Sequence, residues 1–214
     1  MAGSVETWRM IHGERRALAE TLAGLTPEQW SSPSLCAGWD VKMTAGHILA
    51  GAEQTWPSFF AGLARNGLRF DRMMDRDAHA LGALQESEIV QRLEARTATT
   101  NHPPAPVVAM LGEAVVHGAD IRVPLGLPYR PQDDVVRACL DMYKDATFPV
   151  GAKARAKGLH LVATDCAWAT GSGPEVTGPA MSLLLVMTGR PAGLDDLAGA
   201  GTTVLRDRMA AAAA

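Results

Sequence analysis

Cysteine is scarce, and its three occurrences, Cys36, Cys139 and Cys166, form no C-x-x-C pair. That excludes a disulfide framework and a structural zinc knuckle, and it suits a reducing compartment. Lysine is almost missing, 4 residues against 16 arginines, and the net charge is −3 with no basic cluster. A surface that tracks nucleic-acid phosphates is therefore not expected. Long apolar runs are absent too. The longest, residues 181–187, is interrupted by Ser182 and falls far short of the roughly 20 residues of a membrane span. The first stretch carries Glu6, Arg9, Glu14, Arg15 and Arg16, which fits no signal peptide. The expectation is a soluble, cytoplasmic protein with neither nucleic acid nor membrane as partner. What the chain does have is a 47% hydrophobic content and 20% charged residues over 214 positions, enough for one ample domain or two small ones with packed cores.

The first two-thirds reads as helices. Val5, Trp8, Ile11, Leu18, Leu22 and Leu25 follow a 3.6-residue period over residues 4–25. Thr26-Pro27-Glu28 reads as a cap followed by proline opening a short helix. Asp40 is a good cap for a second long helix, expected to run through His47 to about Leu63, with Pro57 bending it or marking a junction. Residues 71–85 are polar and weakly patterned. A short helix is expected over 86–96, then a proline-rich breaker at 101–106, then a helix carrying Val107, Met110, Leu111, Ala114, Val115 and Ile121 that ends near Gly126. Beyond Pro128 the pattern changes to a helix at 133–143, a strand at 159–164, a second at 166–170, a turn at 171–174 and a helix at 180–187 opened by Thr177-Gly178-Pro179. Residues 210–214 read as a frayed end. The fold class predicted is mainly α with a C-terminal α+β domain: a helical bundle over 1–126 and a small mixed domain over 127–214.

One helix face concentrates the polar chemistry. Glu113 and His117 are four residues apart and Asp120 is three further on, so all three share a face that Met110 extends as an apolar stripe. A carboxylate and an imidazole in such a stripe are costly unless paired or bound to metal. The plainer account is an i,i+4 surface pair at a helix end. His47 lies mid-helix among small and apolar neighbours, where a hydrogen-bonded core histidine is the commoner case. Packed against the Glu113/His117 face it would complete a His-His-Glu set, and three protein ligands with one open position is the arrangement of a catalytic zinc site. The spacing is neither the H-E-x-x-H of zinc proteases nor the paired Glu-x-x-His helices of di-iron bundles.

These residues resemble a known family. Leu35-Cys36-Ala37-Gly38-Trp39-Asp40-Val41 followed by His47 resembles the C-x-G-W-S/T-V…H segment of the mycothiol-dependent maleylpyruvate isomerases, a branch of the DinB-like metal-binding four-helix bundles. Glu113-x-x-x-His117-Gly-x-Asp120-Ile121-Arg122 resembles its second motif, and Ala163-Thr164-Asp165, Trp168, Gly171-Ser-Gly-Pro174 and Thr188-Gly189-Arg190 resemble its C-terminal α+β domain. The resemblance implies a DinB-like four-helix bundle, His47, Glu113 and His117 as ligands of one divalent metal, typically zinc, and mycothiol as thiol cofactor. A thiol with an ordinary pKa of about 8.5 is mostly protonated at neutral pH, and a metal deprotonates it. The implied activity is isomerisation or S-transfer on a small electrophilic substrate. A metal-dependent hydrolase on the same ligands and a metal-binding module without catalysis are the competing readings.

Other residues carry smaller expectations. Asp120 either orients a ligand histidine from behind or makes a helix-end hydrogen bond to a loop. Arg190 resembles an arginine that the family's C-terminal domain offers near the metal, and is the expected anchor of an anionic substrate group. Its plainer role is to satisfy helix-end carbonyls. The bundle itself offers few cations near the site, since Lys42, five residues before His47, points to another face. Met43 stands where many family members have aspartate, and is expected on the His47 face, narrowing the pocket. Arg122 is expected at a surface or between domains, Cys36 as a small hydrophobe in its loop, and Trp39 as packing at the start of its helix. His12, His79, His102 and His160 show no partner pattern.

Overall fold

A computed structural model describes residues 2–213. The chain divides into two compact units, one ending at Tyr129 and the other beginning at Arg130. Tyr129 belongs with the first because its hydroxyl donates to Glu14 (2.7 Å) and its ring lies 4.4 Å from the Arg122 guanidinium carbon.

In the first unit α1 (Ala2–Ala23) is followed by the single turn α2 (Pro27–Trp30), opened by Thr26 in a capping box with Gln29. Next come α3 (Val41–Glu53), α4 (Trp56–Arg65), α5 (Phe70–Gly82), α6 (Glu86–Arg96) and α7 (Val107–Arg122). Helices α1, α7, α3 and α6 pack as a closed ring of neighbours, a four-helix bundle, with α5 laid along the outside of α3. Its core draws Leu18 and Leu22 from α1, Val41, Ala45, Ile48 and Leu49 from α3, Ile89 and Leu93 from α6 and Ile121 from α7, with Trp30 closing one end. The helix expected to continue to Leu63 is two helices. Gln54 caps the end of α3, and Thr55 starts α4 through a capping box with Ser58, with Pro57 in the first turn.

The stretch read as weakly patterned is a full helix, α5. Only Met73 and Ala78 on it are buried, so the apolar stripe was too thin to signal. Backbone proximity holds it instead. A Cβ on Gly46 of α3 would stand 2.5 Å from the Gly82 nitrogen, so glycine at 46 is what lets α3 and α5 touch.

The second unit contains α8 (Asp133–Tyr143), α9 (Ala152–Ala156), three strands, α10 (Ala180–Met187), a 3-10 turn at Pro191–Asp196 and α11 (Thr202–Ala213). The sheet is ordered β2 (Ala169–Gly171), β1 (His160–Ala163), β3 (Glu175–Gly178), with β1 antiparallel to β2 and parallel to β3. The buried Leu161 and Val176 are in register. Helix α10 is buried almost throughout and lies against α8 and the sheet. Thr177-Gly178, expected to open α10, instead ends β3, and the first free N–H of the helix is received by Asp165 Oδ1 at 2.8 Å. Of the end expected to fray, residues 210–213 belong to α11 and Ala214 lies outside the described residues.

Candidate functional site

Two facing helices of the bundle present the polar cluster. On α3 Asp40 accepts the Met43 N–H at 2.7 Å and starts the helix, placing His47 on the second turn and Gly51 one turn beyond. On α7 Glu113 and His117 occupy successive turns. The His47 and His117 rings meet edge to face, centroids 4.7 Å apart at 82°. Glu113 reaches across to α3: a Cβ on Gly51 would stand 2.0 Å from its Oε1 and 2.9 Å from its Cδ. Glycine at 51 is therefore the cradle that admits this carboxylate against α3. Burial pushes the Glu113 carboxyl up, and the charges of His117 and Arg15 pull it only partly back.

His117 is held from behind. Its Nδ1 is 2.8 Å from Asp120 Oδ2, and the Asp120 side chain is fully enclosed. The Asp120 main-chain oxygen also accepts from Leu35 N at 3.0 Å, so the side chain holds the histidine while the backbone holds the loop. Burial opposes a charged His117, but the hydrogen bond to Asp120 and the neighbouring Cys36 outweigh it and push the imidazole up to about 10. With Nδ1 committed to the carboxylate, Nε2 is the ring nitrogen left for another partner. Paired in this way, an imidazole has its tautomer and ring direction fixed for a metal.

Cys36, which the sequence reading set aside as a small hydrophobe, joins this polar cluster. Its Sγ donates to Asp120 Oδ2 at 3.0 Å and lies 3.5 Å from His117 Nδ1. One ligand atom each from Cys36, His117 and Asp120 falls within 4.8 Å of the others. The loop is pinned by Ser34, which donates to Trp39 O and accepts from Cys36 N and from Thr44 of α3. Composition held no signal for this, because the partners of Cys36 are more than 80 positions away in the chain. Trp39 does more than start a helix: its Nε1 donates to Asp75 and its ring sits 5.2 Å from that of His47. Met43 Cα and Cγ pack on Gly82 of α5.

The bundle's cations also differ from expectation. Arg122, read as a surface or interdomain residue, is 3% exposed inside the first unit, bonding Thr21 Oγ1 through Nε and Nη2 and Gly118 O through Nη1. Lys42 pairs with Glu86 at 3.9 Å. Arg15 of α1, not singled out from the sequence, is 4% exposed and donates to Thr99 O at 3.2 Å. Arg190 lies in the second unit, after α10, where its Nη1 donates to Thr188 O at 2.6 Å. The Thr188-Gly189 turn before it uses a left-handed glycine (φ 93°) against which the Arg155 guanidinium is laid. Among the remaining histidines, His12 contacts Thr99 O, His79 the Asp75 carbonyl and His102 the Pro103 carbonyl.

A four-helix bundle with imidazoles and carboxylates on facing helices, followed by a small α+β unit, defines a class of bundle proteins with a polar interior. Residues 11–122 match the model of the mycothiol maleylpyruvate isomerase N-terminal domain, and the chain belongs to that family. Two solved structures have the same fold, that of the mycothiol-dependent maleylpyruvate isomerase and that of its histidine-to-alanine mutant. Each has a TM-score of 0.65 and 12% sequence identity, covering 93% of this chain and 93% of the other. A comparison with curated proteins gives no match.

Proposed function

We propose that the protein is a metal-dependent enzyme that uses a low-molecular-weight thiol, mycothiol, to isomerise a small electrophilic substrate or to transfer sulfur to it. The observation that carries this reading is the glycine cradle at Gly51, which brings the Glu113 carboxylate against the helix that bears His47, with His117 one turn away and anchored on Asp120. Two imidazoles and a carboxylate are a donor set suited to a divalent ion such as zinc. His47, Glu113 and His117 would hold it, with Asp120 fixing the His117 ring. When bound, such an ion lowers the pKa of a thiol so that the nucleophilic thiolate exists at neutral pH. The chain's own residues do the rest. Asp120 keeps the proton on His117 Nδ1, and Trp39 packs on the His47 ring. The three cysteines of the sequence, with no C-x-x-C pair among them, suit a reducing, cytoplasmic setting. Membership of the family and the shared fold support the reaction class.

A second donor set has its own support, since Cys36, His117 and Asp120 also converge. Elemental analysis of purified variants separates the two. We expect about one divalent ion per chain in the parent protein, most of it lost in His47→Ala and His117→Ala and retained in Cys36→Ala. Asp120→Asn should weaken the metal by roughly 10- to 100-fold, as loss of a hydrogen-bond partner behind a ligand histidine does. Metal lost from Cys36→Ala and kept by His47→Ala selects the second set. Cobalt substitution then tests the thiol: mycothiol should bring in a thiolate charge-transfer band. A spectrum that answers to pH alone selects the hydrolase, and metal without turnover of any thiol adduct selects the non-catalytic module.

A further inference from the structure

Helix α1 carries aromatic and cationic side chains that the function described above does not use. Its inner face buries Ile11, Arg15, Leu18 and Leu22, whereas Trp8, His12 and Arg16, each four residues apart, share another face. Val5 and Trp8 open the apolar stripe legible in the sequence, yet Val5 is 72% exposed and Trp8 only half-buried. The stripe therefore leaves the core at its start. It meets instead a cavity of about 620 Å³ between α1 and the segment after α6, lined by Val5, Trp8, Arg9, His12, Arg16 and Thr100. Clefts that hold small molecules span roughly 300–1,000 Å³.

The walls of this cavity are held in place by the protein itself. The Thr99 carbonyl, next to Thr100, accepts from Arg15 Nη1 at 3.2 Å and meets His12 Nε2 at 3.3 Å, which ties the segment to α1. A carbonyl oxygen only accepts, so His12 carries its proton on Nε2. The Trp8 ring contacts two imidazoles, its centroid 5.7 Å from that of His12 and 5.9 Å from that of His102. His102 is fixed in turn by its Nδ1, 2.7 Å from the Pro103 carbonyl. No carboxylate lines the cavity. Arg9 pairs with Glu6 at 2.5 Å, but both side chains are more than half exposed, and such a pair contributes little in water. Arg16 makes no hydrogen bond or ion pair among the described residues. An indole, an imidazole and two guanidiniums thus share one cavity, which is aromatic and positively charged.

We propose that this cavity is a second binding site, separate from the α3–α7 cluster, for a small aromatic acid whose ring lies against Trp8 and whose carboxylate is received by Arg16. A guanidinium presents two parallel donors that match a carboxylate. An indole offers a broad apolar face on which a flat ring stacks, offset or edge-on. The two anchors select in different ways: the charge discriminates against neutral aromatics, and the indole against aliphatic acids. A wall already fixed through Thr99 and His102 spares the ligand the cost of ordering it. The inference stands apart from the function proposed above, since no residue lining the cavity is a candidate metal ligand.

The test uses the full chain with 2-naphthoate as probe, 2-naphthamide as its neutral counterpart and cyclohexanecarboxylate as its non-aromatic one. Calorimetry should show 2-naphthoate binding to the parent protein in preference to both. Arg16→Gln should weaken 2-naphthoate by about tenfold or more and bring it level with the amide. Arg16→Lys should recover part of the loss. Arg16 is exposed, so its replacement should leave thermal stability and metal content unchanged. Trp8→Leu should weaken acid and amide alike. A His117→Ala protein with parental circular dichroism should bind 2-naphthoate as the parent does, and loss of binding there would place the probe inside the bundle and overturn the proposal. A second measurement needs no variant: the Trp8 Nε1–H resonance of the parent protein should shift on adding 2-naphthoate. No binding by the parent, equal affinity for acid and amide, full affinity in Arg16→Gln or an unmoved Trp8 resonance would each overturn the proposal. A chain that takes up no metal would defeat the function reading instead and leave these readouts in force.

Discussion

Single side chains decide whether this bundle interior can work as a site. Gly51 is the sharpest case, because alanine there is favoured by helix propensity, by roughly 1 kcal/mol in a helix interior, and yet its methyl would collide with Glu113 Oε1. Gly51→Ala should therefore leave the fold intact while displacing the carboxylate. We expect metal affinity, read by competition with a chromogenic chelator, to fall at least about tenfold, a loss of some 1.4 kcal/mol. Unchanged affinity would mean that Glu113 contributes no ligand. The face shared by Glu113, His117 and Asp120 was legible from spacing alone, because the helical period is a local property of the backbone. Cys36 and Arg15 were not legible. A half-buried thiol and a buried guanidinium owe their surroundings to loops and helices distant in the chain, and nothing adjacent to them in sequence marks the difference between a surface arginine and an enclosed one.

Among the elements, α4 and α5 show where periodicity fails. Pro57 and the Thr55 cap divide what reads as one helix, since a new set of orphan N–H groups is met by Thr55 and Ser58 at that point. Helix α5 is held to α3 through Gly46 and Gly82 with little buried apolar surface of its own. No residue of α4 is buried, and Trp56 and Phe60 on it are more than half exposed. A helix with so few buried contacts opens at low cost. Hydrogen exchange should show the α4 amides exchanging at least tenfold faster than those of α3 and α7. Equal protection would mean that α4 is covered in solution. The short helix at Glu86–Arg96 and the α8 helix at Asp133–Tyr143 were readable to the residue, both opening on acidic first turns.

At the scale of the whole chain, both halves of the candidate metal site lie in the first unit, on α3 and α7. Metal binding should therefore stabilise that unit, by about 4 kcal/mol at a thousandfold excess over Kd. Removal of metal with a chelator should speed proteolytic cleavage within residues 2–129 and leave cleavage within 130–213 unchanged, as mapped by mass spectrometry. Equal acceleration in both would show that the two units unfold together. The order of helices, the change to strand grammar after Pro128 and the polar face of α7 were determined by the sequence itself, since each follows from periodicity, capping and breakers over a few neighbouring residues. The β3 strand escaped because Thr177-Gly178-Pro179 also reads as a helix start, and pairing with β1 decided between the two. Tertiary structure alone decided that α5 would be a helix, that Gly51 would shelter Glu113, that Cys36 would join His117 and Asp120, and that Arg15 would face inward. Each of these depends on which backbones approach one another, and close approach is a property of packing between segments that no local pattern encodes.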